Sequence, residues 1–301
     1  MIELPNGVNI NNLIGDLRNF SWEAADILKY YYQKISNDGH KGKFIKFKGN
    51  NDPVTLADLK VNERIIKRIN EKYPDINWNF LSEETIKDEL VSKSKKSDWL
   101  WVLDPLDGTK DFIQGTGNYA MHLALNYKNK PYLGIVLIPE KNELWFSDGL
   151  NSWCEKRDGT IKKSCLSKGK VIRDLTLVSS KNHSNETLKL LIDKVQFRKT
   201  ITMGSIGCKI ASIIRGESDI YISLSLPGKS SPKDWDFAAP EAILRTAGGS
   251  ITTIDNEELS YNKSYFCQEG LIIATGNKLF HKSICSQIKE IIKELDLFKI
   301  N

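Results

Sequence analysis

The feature that most constrains this chain is a short acidic turn, Asp104-Pro105-Leu106-Asp107-Gly108-Thr109, set directly behind the apolar run Trp99 to Leu103. A run of that length bounded by turn residues predicts a buried strand, so the turn is expected at the end of a strand that enters the core. Two carboxylates three positions apart, with a proline restricting the backbone between them, are able to converge on a hard divalent cation such as Mg2+, which prefers oxygen ligands. If a helix begins here, the N–H groups of Gly108 and Thr109 face a phosphate, where unpaired donors and the helix dipole both favour an anion. Helix capping alone also produces acidic turns, so the choice between the two rests on the companions of Asp104 and Asp107.

There are two such companions. Ser82-Glu83-Glu84 closes the apolar stretch Trp78 to Leu81, and Trp235-Asp236 stands at the head of a helix expected over residues 235–247. Singly, Glu83 is an ordinary surface acid and Asp236 an ordinary first-turn residue. With Asp104 and Asp107 they supply four carboxylates, which repel one another and take up protons unless cations neutralise them; such a cluster makes sense as a phosphatase site holding two or three metals. Asp52, in the run DPVTLAD (residues 52–58), is expected to accept a hydrogen bond from the Thr109 hydroxyl. That bond leaves the Thr109 oxygen to take a proton from an activated water. Thr55 and Asp58 of the same run are accounted for as a helix cap.

The rest of the chain predicts scaffold. Apolar residues at helical spacing from Ile10 to Leu28 give one long or broken helix before Asn37, and Val61, Ile65 and Ile69 mark a second that starts at Thr55 and ends before Pro74. Three apolar runs from Tyr119 to Phe146, separated by Asn129-Lys130-Pro131 and Pro139-Glu140, predict an antiparallel meander. The polar stretch from Cys154 to Arg173 is the expected boundary between an amino-terminal half (1–160) with most of the metal ligands and a carboxy-terminal half (161–301) that closes the substrate site. Beyond it a strand at 175–179, a helix near 205–215, a strand at 220–223, the helix at 235–247 and a closing strand and helix are expected.

Five scattered cysteines, odd in number and without a CxxC pair, indicate neither a disulfide framework nor a zinc site. With no secretion signal between Met1 and Ile10 and no apolar run near the roughly 20 residues of a membrane span, a cytoplasmic location is expected. The net charge of +5 comes from lysines spread along the chain, which argues against a dedicated nucleic-acid surface.

Taken in order, DPVTLAD (52–58), SEE (82–84), WVLDPLDGTKDF (101–112) and DWDFAAPEAILRTAGG (234–249) resemble the inositol monophosphatase superfamily of lithium-sensitive, magnesium-dependent phosphatases. The resemblance implies a layered αβαβα sandwich combining α+β and α/β halves. It also implies one metal on Glu83, Asp104 and the Leu106 carbonyl, a second on Asp104, Asp107 and Asp236, water activation by Asp52 and Thr109, and a phosphate-binding loop of Leu106, Asp107, Gly108 and Thr109.

Within the superfamily the chain looks most like the CysQ-type 3'(2'),5'-bisphosphate nucleotidases, which convert 3'-phosphoadenosine 5'-phosphate to AMP and phosphate. DGTKDF (107–112) resembles that branch's loop. Gly204, Ser205 and Lys209 of GSIGCK (204–209) resemble a motif that would bind the phosphate that is not cleaved, and Ser180 and His183 of SSKNH (179–183) a segment near the nucleotide. Asn50, where many members of the branch have an aspartate, is a departure towards the inositol phosphatases; Lys229, seven residues before Asp236, suits a second phosphate better than a diol. The alternatives are an inositol monophosphatase or fructose 1,6-bisphosphatase of the same superfamily, and a catalytically silent protein that binds phosphorylated metabolites. The oligomeric state is open.

Overall fold

The computed structural model describes residues 2–37, 44–48, 52–85, 97–166, 171–181, 185–226 and 228–296, with all their side chains except those of residues 47, 48, 52, 53, 264 and 295. Helix α1 (Ile10–Asn37) is a single unbroken helix. A hairpin of β1 (Ile45–Lys48) and β2 (Asp52–Thr55) leads into α2 (Leu56–Lys72), which starts on the expected cap. There the Thr55 hydroxyl accepts from the Ala57 N–H while Asp58 Oδ2 accepts from the Thr55 N–H at 2.7 Å, the reciprocal arrangement of a capping box. Both helices place their apolar stripes, Leu13, Leu17, Leu28 and Val61, Ile65, Ile69, in one buried cluster against a sheet.

That sheet has seven strands, β3 (Asn79–Ser82), β4 (Trp99–Asp107), β5 (Ala120–Tyr127), β6 (Lys130–Ile138), β7 (Glu143–Ser147), β8 (Ser152–Lys156) and β9 (Ile161–Lys162), hydrogen-bonded in chain order. β3 runs parallel to β4 and the rest form the antiparallel meander. A second, five-stranded sheet contains β10 (Thr176–Ser180), β11 (Lys199–Met203), β12 (Ile220–Ser225), β13 (Ser250–Thr253) and β14 (Gly270–Thr275) in the order β11-β10-β12-β14-β13.

Two helices lie between the sheets, α5 (Ile206–Ile214) and α6 (Asp234–Ala247). Their residues Ile206, Ile210, Phe237 and Ile243 share one core with Val102 and Ala124 of the first sheet and Val178, Tyr221 and Ile272 of the second. The approach is close: a Cβ on Gly134 of β6 would sit 2.7 Å from the Ala239 carbonyl of α6. On the far face of the second sheet, α4 (Glu186–Val195) and α7 (Lys278–Leu295) complete a third core around Leu188, Leu191, Ile284 and Ile288. The layers are therefore αβαβα, as expected, with α3 (Thr109–Gln114) a short turn of helix at the end of β4. The stretch taken as a boundary contributes β8 and β9 to the first sheet, and the interior between the sheets is continuous.

His281 of α7 is enclosed, with Nδ1 2.9 Å from Thr275 Oγ1 and Nε2 2.7 Å from Thr252 Oγ1. Burial lowers its pKa to about 4. A folded-state value below the unfolded one means that this group's contribution is present above about pH 6.5 and is lost as pH falls towards 4, by roughly 3 kcal/mol at about 1.4 kcal/mol per unit. Urea unfolding at pH 7 and pH 4.5 is expected to show that loss in the wild type, and a smaller one in His281→Gln.

Candidate active site

Residues 104 and 107 would point to opposite faces of a regular strand, because side chains alternate. The register of β4 against β5 shows why they do not: Asp104 pairs with His122 and Asp107 with Ala120, so three steps on β4 oppose two on β5. This bulge turns both carboxylates to one side. Asp236, in the first turn of α6, meets them there, and one oxygen from each of Asp104, Asp107 and Asp236 lies within 4.8 Å of the others. Among the described residues this is the one group of acids compact enough to hold an ion.

Each acid is held by backbone donors. Asp104 Oδ1 accepts from the Leu106 N–H at 3.0 Å and Asp236 Oδ2 from the Lys233 N–H at 2.5 Å. Asp107 Oδ2 takes the Ser205 hydroxyl at 2.7 Å and the N–H groups of Ile206 and Gly207 at the start of α5. Burial raises the pKa of Asp104 well above the carboxylate range, and the charges of Glu83, Asp107 and Asp236 push it further; Asp236 is raised by burial and then by Asp107. Glu83, just past β3, thus acts on Asp104 electrostatically while lying outside the tight group of three. Buried oxygens that repel each other in this way fit a hard cation of charge two or more, which would restore them to the ionised state.

Thr109 opens α3 behind Gly108, which sits at φ +88°, where a Cβ would come 2.9 Å from the Asn118 carbonyl. The Thr109 hydroxyl faces two acceptors, the Leu106 carbonyl at 3.1 Å and Asp58 Oδ1 at 3.4 Å. Among the described residues its carboxylate neighbour is Asp58; the side chain of Asp52, the residue expected at Thr109, lies outside the described residues. The cap uses Oδ2 of Asp58 and leaves Oδ1 turned to Thr109. Asp58 is 1% exposed, and burial pushes its pKa up to about 7, so it is poised to exchange a proton near neutral pH. A capping carboxylate has two oxygens and the cap occupies one, so a capping role in the sequence does not exclude this second contact.

The motif GSIGCK is built into the interior. Ser205 is fully buried, caps α5 by accepting from the Cys208 N–H at 3.1 Å, and holds Asp107 with its hydroxyl. Lys209 was expected to present its ammonium to a phosphate. Instead it is 1% exposed, since α5 is buried on all sides between the sheets, and its Nζ donates to the Gly204 carbonyl at 2.6 Å. Burial lowers its pKa while Asp107 and Asp236 oppose that, so the lysine lies inside the protein close to the acids. Gly204 lies against Asp111, whose carboxylate would be 2.0 Å from an added Cβ. Ser180 ends β10 beside Met203, His183 lies outside the described residues, and Lys229 is exposed in a turn.

His122 carried no signal in the sequence, because nearly every position of β5 is buried. Its Nε2 sits 3.2 Å from Asp107 Oδ2, and a Cβ on Gly207 would meet that nitrogen at 2.2 Å and Val136 at 2.8 Å. Gly207→Ala is expected to cost about 1–3 kcal/mol in urea unfolding, since His122 and Val136 are fixed in central strands and cannot withdraw.

A family model described as the inositol monophosphatase family matches residues 14–293. The chain belongs to the inositol monophosphatase family. Over 220 residues it is 32% identical to the 3'(2'),5'-bisphosphate nucleotidase CysQ of Buchnera aphidicola, covering 73% of this chain and 78% of that one. It is 26% identical over 255 residues to the inositol-1-monophosphatase of Bacillus subtilis, covering 83% and 89%. The solved CysQ of Bacteroides thetaiotaomicron superposes with a TM-score of 0.66 at 26% identity, over 85% of this chain and 94% of that one. This family member is accordingly a phosphatase of a metal-dependent family, and it carries an acidic cluster.

Proposed function

We propose that the chain is a Mg2+-dependent phosphatase that hydrolyses 3'-phosphoadenosine 5'-phosphate to AMP and phosphate. The observation that carries the chemistry is the meeting of Asp104, Asp107 and Asp236 within 4.8 Å, beside the Thr109–Asp58 pair. The choice of substrate rests on the likeness to CysQ nucleotidases. When bound, Mg2+ supplies Lewis-acid polarisation of the ester and lowers the pKa of water.

The chain's own residues do the rest. Glu83, Asp104, Asp107, Asp236 and the Leu106 carbonyl hold the ions. Thr109 accepts the proton of the attacking water and passes its own to Asp58 Oδ1, whose raised pKa lets it receive one. The loop from Leu106 to Thr109 holds the phosphate, with Gly108 giving close backbone approach. Lys209 offsets the negative charge from below, and Ser205 orients Asp107. Ser180 and His183 are assigned to the nucleotide side and Gly204 to the floor of the site.

A second substrate, an inositol monophosphate, is favoured by Asn50 and by the likeness to the Bacillus subtilis enzyme. The test is Mg2+-dependent phosphate release from 3'-phosphoadenosine 5'-phosphate, inositol 1-phosphate and fructose 1,6-bisphosphate, compared by kcat/KM. Preference for the nucleotide supports the proposal. Preference for another ester overturns the substrate and keeps the chemistry, and no turnover of any would make this a silent binding protein.

A further inference from the structure

We propose that Lys233 and Cys267 are a peroxide-sensitive, thiol-reversible covalent pair, joined when oxidised by a single oxygen atom between Nζ and Sγ. Lys233 caps α6 and Cys267 lies on the segment that crosses it, and the two residues form an isolated antiparallel bridge. The Gln268 N–H donates to the Pro232 carbonyl at 2.8 Å beside that bridge, so both backbones are held in register. The side chains meet as well: Nζ is 2.8 Å from Sγ and 3.3 Å from the Tyr265 carbonyl. Sulfur is larger than oxygen, yet this separation is shorter than the mode of about 2.9–3.0 Å for an ordinary N–H···O bond. One oxygen atom spans it with little movement of either residue.

Accessibility together with a neighbouring amine separates this thiol from the others. Cys154, Cys208 and Cys285 are buried, Cys165 is exposed, and Cys267 is partly exposed with the lysine amine against it. Peroxide reaches a partly exposed thiol, and the amine held against its sulfur is placed to trap the oxidised product. Tyr265 and Phe266 both have positive φ, +61° and +54°, so the segment doubles back tightly before Cys267 and delivers it to Lys233.

The first peroxide transfers one oxygen to sulfur: an S–O bond forms, the O–O bond breaks, water leaves, and sulfur is oxidised by two electrons. A second peroxide removes two further electrons as the N–O bond forms, the hydroxyl and amine protons leaving in water. The balance is RSH + R'NH2 + 2 H2O2 → RS–O–NHR' + 3 H2O. Two dithiol equivalents return the four electrons and restore both side chains with one water. The bridge removes the ammonium charge at the head of α6 and ties the crossing segment to the residue whose N–H holds Asp236.

The test is intact-mass and peptide mass spectrometry of the folded protein after hydrogen peroxide. The expected result is a gain of about 14 Da, one oxygen in and two hydrogens out. The linked peptide contains Lys233 and Cys267, and dithiothreitol reverses the change. Cys165→Ser keeps this product, while Cys267→Ser and Lys233→Arg lose it; circular dichroism confirms that the variants are folded. Oxidation of Cys267 alone with an unmodified Lys233 peptide, or the same product in Lys233→Arg, would overturn the proposal.

Discussion

Asp104→Asn is expected to remove Mg2+-dependent phosphate release while making the metal-free protein more stable. Lewis-acid stabilisation of several kcal/mol, at about 1.4 kcal/mol per tenfold, puts the loss of kcat on the order of 10³-fold or more. The stability gain comes from the same carboxylate. Burial, Glu83, Asp107 and Asp236 raise its folded-state pKa above the unfolded value. A raised acid favours the fold at low pH, and that contribution is lost as pH rises towards the folded pKa. In chelator at pH 8 the variant should therefore melt a few degrees above the wild type, with the gap closing towards pH 5. Calorimetric melts at the two pH values check it, and a variant less stable at both would show that repulsion does not dominate the cluster.

The second large effect separates two aspartates six residues apart in one motif. Asp58→Asn keeps an oxygen for the Thr55 N–H and so keeps the cap, but it cannot receive a proton from Thr109. Its kcat should fall by about 10²–10⁴-fold, the usual worth of a general base. Thr109→Ala should fall similarly, and the double variant little further, since the two act as a unit. Asp52→Asn, measured beside them, tests whether Asp52 also serves the Thr109 hydroxyl, as the resemblance implies. An inactive Asp52→Asn beside an active Asp58→Asn would return the proton relay to Asp52.

Much of the fold was legible because its signals are local. The apolar stripes of α1 and α2, the Thr55 cap and the punctuation of the meander each depend on a few neighbouring residues. The acids of the metal cluster were legible too, since Asp104 and Asp107 sit on one turn and Asp236 heads a helix. What escaped depends on packing between distant segments. A lysine is ordinarily exposed, and the closure of two sheets over α5 buries Lys209. His122 meets Asp107 through pairing across β4 and β5. The bulge that aligns Asp104 with Asp107 is likewise a property of the pair of strands, and no spacing rule within β4 shows it. Asp58 escaped for a different reason: a sufficient local role hid a second one.

The proposed chemistry requires that the acidic cluster hold Mg2+. Isothermal titration calorimetry of Mg2+ into the chelator-stripped protein, with Asp104→Asn and Asp236→Asn beside it, measures this without a substrate. Saturable binding in the wild type that is lost or greatly weakened in both variants is the predicted result. Equal binding in all three proteins, or phosphate release that persists in excess chelator, would contradict it.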